Sequence, residues 1–181
     1  MNWTYAVQAL FATLTLLGSI LVALYTAIRI VSYWYPLPHF QRFRDHVGRN
    51  AAKYGLLIAG GATVGSLFFS EVMGWPPCML CWYQRIFMYP LVVLFLIDIW
   101  KGDNASFRYV PSLVTLGGIF AGYHVVLHQL ARLNIDASCG AVSQIPCVEN
   151  FTFWYGYITI PVMAFTAFAL LSIIASDECQ V

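Results

Sequence analysis

Long uncharged apolar runs alternate along this chain with short polar intervals, and the runs are of membrane-crossing length. A helix crossing roughly 30 Å of hydrocarbon needs about 20 mostly apolar residues. Trp3 to Ile28 carries no charge and stops at Arg29; Tyr54 to Ser70 stops at Glu71; Val110 to Leu130 is broken only by His124 and His128; Phe151 to Ser176 stops at Asp177. A fifth run is less plain, because its strictly uncharged part, Ile86 to Ile97, rises only about 18 Å. It reaches membrane length if the helix extends from about Cys78 to Trp100, which puts Arg85 at or within the apolar boundary. The pattern predicts an all-α integral membrane protein: a four-helix transmembrane bundle over residues 54–176, preceded by one extra N-terminal transmembrane helix within residues 1–35. Residues 36–53 read as a basic cytoplasmic linker and 177–181 as a cytoplasmic tail. No Lys or Arg precedes the first run, and its length exceeds that of a cleavable signal, so it is expected to stay in the mature protein.

Composition sharpens this. The 181 residues are 60% hydrophobic and 9% charged, against about a quarter charged in soluble domains, and the mean hydropathy is +0.72. A net charge of +1 offers no concentrated basic face for a nucleic acid backbone. The cations are unevenly placed: Arg29, Arg42, Arg44, Arg49 and Lys53 fall between the first two runs, and Lys101 and Arg108 between the third and fourth, seven of nine in all. Such residues collect in cytoplasmic loops. The amino terminus, the segment around Cys78 and the loop Ala131 to Asn150 are then expected outside, with Cys179 and the carboxyl terminus in the cytoplasm. Disulfides persist in outer, oxidising compartments, so four of the five cysteines lie on the permissive side.

The sharpest chemistry is in Trp75-Pro76-Pro77-Cys78-Met79-Leu80-Cys81-Trp82-Tyr83-Gln84-Arg85. Proline is tolerated at a helix start and not in its interior, so the helix is expected to begin near Pro77 or Cys78. Unpaired N–H groups at that start favour a thiolate. Arg85 lies one turn inward from Cys81 on the same face, where its charge would favour a Cys81 thiolate or another anion. Helical positions three apart separate their Cβ atoms by roughly 5–6 Å, whereas a disulfide wants about 3.8 Å, so a bridge there is expected to strain the first turn and be readily reduced. A structural bridge or a zinc ligand pair are the alternatives, and for Arg85 snorkelling to the headgroups.

Cys139 and Cys147 stand in a Gly-, Ser- and Pro-containing outer segment. They read either as a staple or as a pair that exchanges with a soluble partner while the embedded pair passes two electrons to an apolar acceptor, a quinone. His124 and His128 are four apart on one face, suited to a metal or to a quinone carbonyl. Gly60, Gly61 and Gly65, with Gly117, Gly118 and Gly122, suggest faces for close helix contact. Pro90 and Pro161 are expected to interrupt their helices.

Cys-Met-Leu-Cys-Trp-Tyr-Gln-Arg followed by Ile-Phe-Met-Tyr-Pro resembles the quinone-linked, disulfide-generating membrane proteins of the DsbB family, and within it the BdbC-like branch, over about residues 54–176. The resemblance implies a relay. An extracytoplasmic thioredoxin-fold thiol oxidase of the DsbA or BdbD kind would be reoxidised through Cys139 and Cys147, and electrons would pass by thiol exchange to Cys78 and Cys81. From there they would reach ubiquinone or menaquinone, with Cys81 facing the ring, Arg85 stabilising the developing charge, and Gln84 and His124 also at the quinone. The first helix lies outside the family's four spans. A metal-binding membrane transporter or sensor using Cys78, Cys81, His124 and His128 is the competing reading.

Overall fold

The computed structural model describes residues 3–35, 37–103, 105–133 and 152–178. Cys139, Cys147 and Cys179 lie outside these. Six helices follow in order: α1 Trp3–Trp34, α2 Pro38–Arg49, α3 Ala51–Leu67 continued by a π-helical turn Phe68–Val72, α4 Met79–Lys101, α5 Val110–Arg132 entered through a 3₁₀ turn Ala105–Tyr109, and α6 Ile160–Glu178. Five of the helices, counting the turns that extend α3 and α5, are long and apolar enough to cross a membrane.

Helices α3 to α6 close a ring, each packed on its sequence neighbour and α6 back on α3, while α1 lies outside against α6. The core runs through the ring as Leu91, Phe95, Val110, Val114, Phe168 and Leu171. Large apolar side chains such as Val64, Val93, Ile119 and Val126 stay exposed on the outside, as expected where lipid is the solvent. Close approach of α5 and α6 depends on Gly117, where an added Cβ would fall 2.3 Å from the Phe168 ring. Gly60 and Gly61, expected on a contact face, instead meet open space.

Two other expectations change. Residues 36–53, read as a linker, carry the amphipathic helix α2, which packs on α6 and α3. The last span starts at Ile160, nine residues later than the apolar run does. Ahead of it Trp154 and Ile158 form an antiparallel bridge around a tight turn. Tyr155 (φ 50°) and Gly156 (φ 80°) both adopt left-handed backbone there, the signature of a type I′ turn. Pro161 consequently falls in the first turn of α6, where no intrahelical donor is lost, and among the described residues only Pro90 sits in a helix interior.

At the opposite end of α6, Asp177 is fully buried and joins three helices. Its Oδ1 accepts from Tyr25 Oη at 2.6 Å, Arg29 Nη1 at 3.2 Å and Arg44 Nε at 2.9 Å. This clasp ties α1 and α2 to the bundle.

Candidate active site

Pro76 and Pro77 keep the chain extended up to Cys78, which caps α4 with φ −72° and ψ 172°. Cys78 is therefore not a helical residue, and the Cβ separation that predicted a strained bridge does not govern this pair. The two thiols stand with Sγ atoms 3.3 Å apart, and Cys78 donates to Cys81. That donation, and then burial, push the Cys78 thiol, one residue ahead of the span, up to about 12. This shift runs opposite to the thiolate preference expected for Cys78 at the helix start, and in the contact between the two sulfurs Cys81 is the acceptor.

Behind Cys78 stands His124 of α5, 2% exposed. Its Nε2 lies 3.8 Å from Cys78 Sγ and its Nδ1 3.0 Å from the side-chain nitrogen of Gln84. An amide nitrogen only donates, so Nδ1 accepts and Nε2 carries the ring's proton. The result is a one-way chain, Gln84 to His124 to Cys78 to Cys81, in which every donor points toward Cys81. Such chains polarise cooperatively in a low-dielectric interior. His128 stacks edge-on against His124 with centroids 5.0 Å apart.

Arg85 reaches the neighbouring helix α3 from the cavity wall it shares with the two cysteines. Its Nε donates to Ser66 Oγ at 2.9 Å and its Nη2 to the Ser66 carbonyl at 3.0 Å, and its Cζ lies 5.4 Å from the centroid of the Trp82 ring. The π turn beginning two residues after Ser66 is a feature frequent near functional sites. Among the described residues no carboxylate pairs with Arg85. The guanidinium expected beside Cys81 is held on α3 through Ser66 and lines the same cavity as Cys81.

That cavity, between α1, α3, α4, α5 and α6, has a volume of about 690 Å³, within the roughly 300–1,000 Å³ usual for small-molecule sites. Cys78, Cys81, Gln84, Arg85, His124 and His128 gather at its polar end; the rest of its wall is almost wholly apolar. Sequence reasoning missed Ser66, Met88 and the α1 side chains that also line it. Ser66 had a faint signal, a hydroxyl within an apolar span adjoining one that carries an arginine. The donor atoms of Cys78, Cys81 and His124 lie within 4.8 Å of one another, a compact set that does not extend to His128.

Comparison with known proteins places this geometry. The family model "Disulfide bond formation protein DsbB" matches residues 48–176. The chain is 38% identical over 126 residues to the "Probable disulfide formation protein C" of Bacillus cereus, covering 67% of this chain and 88% of that relative. It is 41% identical over 118 residues to its counterpart of the same name in Halalkalibacterium halodurans, with 65% and 84% covered. With the "Disulfide bond formation protein C" of Bacillus subtilis it shares 39% over 117 residues, 65% of this chain and 83% of the relative. No solved structure matches significantly. A CxxC cap on an apolar bundle, matched over most of its length by disulfide-forming proteins, leads to one assignment: the chain belongs to the DsbB family, as a multi-pass membrane disulfide oxidoreductase that serves disulfide bond formation.

Proposed function

We propose that this protein is a membrane thiol:quinone oxidoreductase that reoxidises an extracytoplasmic thioredoxin-fold thiol oxidase of the DsbA or BdbD kind. The observation that carries the reading is the hydrogen-bond chain that ends on Cys81 at the polar end of a large apolar cavity. The residues fit a quinone: donors at Arg85 and Gln84, a histidine on the same wall, and an apolar remainder for a greasy substituent. The positive-inside distribution of Lys and Arg supports an orientation with Cys78 and Cys81 near the outer face and the carboxyl terminus in the cytoplasm.

The chemistry balances in three exchanges. The partner's two thiols become its disulfide as the Cys139–Cys147 bond is reduced. Those two thiols then restore their bond by reducing Cys78–Cys81, each exchange being attack of a thiolate on a disulfide sulfur. Finally the Cys78 and Cys81 S–H bonds break and their S–S bond forms. A quinone bound beside them supplies the two-electron sink, taking two electrons and two protons to leave as the quinol. In that step Cys81 carries the developing negative charge, Cys78 keeps the proton longest, and His124 Nε2–H supports Cys78 as its own proton leaves. Arg85 holds a positive potential over the cavity end.

Rapid mixing of the purified oxidised protein and quinone with a reduced thioredoxin-fold dithiol, followed by quinone absorbance, tests the scheme. Loss of quinone reduction is expected on replacing any of Cys78, Cys81, Cys139 or Cys147 with Ala. Normal turnover by Cys139→Ala would break the two-pair relay. The compact Cys78, Cys81 and His124 donor set favours a second reading, a metal-binding membrane protein. Stoichiometric zinc on the isolated protein, with all four thiols reactive once it is chelated and no quinone turnover, would select it instead.

A further inference from the structure

The extra helix α1 presents Phe11, Leu14, Thr15, Leu17, Gly18 and Leu21 to the cavity. They span eleven residues, about 15 Å along the helix axis. Two seams fix α1 in place. The Phe11 ring fills the space above Gly65, coming within 2.8 Å of where a Cβ would stand, and it also meets Phe69 with centroids 5.9 Å apart. Gly18 lies against Thr166 and Leu170 of α6, where a Cβ would meet them at 3.0 and 3.2 Å, and Ser19 Oγ is 3.2 Å from Thr166 Oγ1. Farther along, Tyr25 and Arg29 are anchored on Asp177. Helix α1 is therefore seated on both α3 and α6, and the cavity runs beneath it from the sulfurs toward the Asp177 end.

The matched family region begins at residue 48, so this wall lies wholly outside it. The match to the Bacillus cereus relative takes up 88% of that protein and 67% of this chain, so most of the unmatched sequence lies in this chain. A cavity holding only a polar ring would need no such length of apolar wall.

We propose that α1 is the tail-holding wall of the acceptor site: the quinone ring lies by Cys81 and Arg85, and its hydrocarbon tail runs along Leu14, Leu17 and Leu21 between α1 and α6. The inference rests on the quinone reading above and adds what the first helix does. It makes affinity depend on tail length through residues that touch neither cysteine.

Two measurements decide it. In the full-length wild-type protein, a quinone with a photoreactive group on its tail should label α1 peptides containing residues 11–21, mapped by mass spectrometry. Leu14→Trp and Leu21→Trp should each weaken binding of a long-tailed quinone about tenfold, equivalent to about 1.4 kcal/mol. Neither should change the Kd of a tail-less quinone, and Ile20→Trp, on the outward face of α1, should change neither Kd. Label confined to α3–α6, or equal shifts for tailed and tail-less quinones, would overturn the role of α1 while leaving quinone use intact. Failure of either quinone to bind or be reduced would instead sink the reading beneath it. If a tryptophan variant does not fold, the wild-type label alone decides.

Discussion

The two ends of this bundle each place a charge in apolar surroundings, and they treat it in opposite ways. At the α6 end the Asp177 carboxylate takes two guanidinium groups and a phenol on one oxygen. Charge there is neutralised by charge, and the product is attachment of α1 and α2 to the core. At the cysteine end Arg85 is held by a hydroxyl, a carbonyl and an aromatic face. Those partners take two of its N–H donors, and among the described residues none brings a compensating negative charge. A partly buried charge without a counter-ion is costly, and its place beside a cavity and a thiol pair supports the proposal that this end receives negative charge. One end spends its electrostatics on architecture; the other keeps them for a ligand.

The largest effect is expected at Arg85. Arg85→Gln retains hydrogen bonding to Ser66 and removes the charge, so the bundle should fold while quinone reduction slows by about 100-fold, the usual scale for losing one fixed group that stabilises developing charge. Single-turnover quinone absorbance, with the melting temperature as control, gives the answer. An unchanged rate would make Arg85 a second structural residue like Asp177, and the contrast between the ends would vanish.

The same contrast explains which features could be read in advance. Uncharged runs report lipid contact directly, so five spans and an arginine in the third were legible, as was CxxC behind two prolines. Boundaries within uniformly apolar sequence were not: nothing in the composition separates Phe153 or Tyr157 from the helix that follows, and the start of α6 is set by left-handed backbone at Tyr155 and Gly156. Helix α2 was masked because its basic residues read as a topogenic cluster, when their spacing also suits a helix lying on α6. The partners of charges were hidden for a further reason. Asp177 finds Arg44 133 positions away and Arg85 finds Ser66 19 positions back, pairings that only the packing of helices creates. The direction of the Gln84–His124–Cys78–Cys81 chain likewise depends on geometry across α4 and α5 that residue types alone do not fix.

At the Asp177 end the expected effect falls on stability. Asp177→Asn leaves Arg29 and Arg44 without their anion. Breaking a fully buried ion pair costs about 3–5 kcal/mol, but Arg29 and Arg44 side chains are 35% and 18% exposed and can turn to water, so about 2 kcal/mol is expected. The melting temperature in detergent should fall, while the rate with a tail-less quinone, measured well below that temperature, stays as in the wild type. A rate loss matching that of Arg85→Gln at undiminished stability would reverse the roles given to the two ends.

The smallest effect separates holding the charge from having it. Ser66→Ala removes one of the two acceptors on Ser66 and keeps its carbonyl, the Trp82 ring and Arg85 itself. Loss of one such hydrogen bond is worth about 1 kcal/mol, so quinone reduction should slow by about fivefold, and Ser66→Thr, which restores the hydroxyl, should recover most of it. Because Ser66 acts only through Arg85, Ser66→Ala in the Arg85→Gln background should cost little more, a non-additivity that a double-mutant cycle resolves. Full additivity would mean that the hydroxyl serves the cavity directly, for instance through Tyr89, whose phenol lies 3.4 Å from it. Ser66 would then belong to the ligand's own surroundings and not to the support of the arginine.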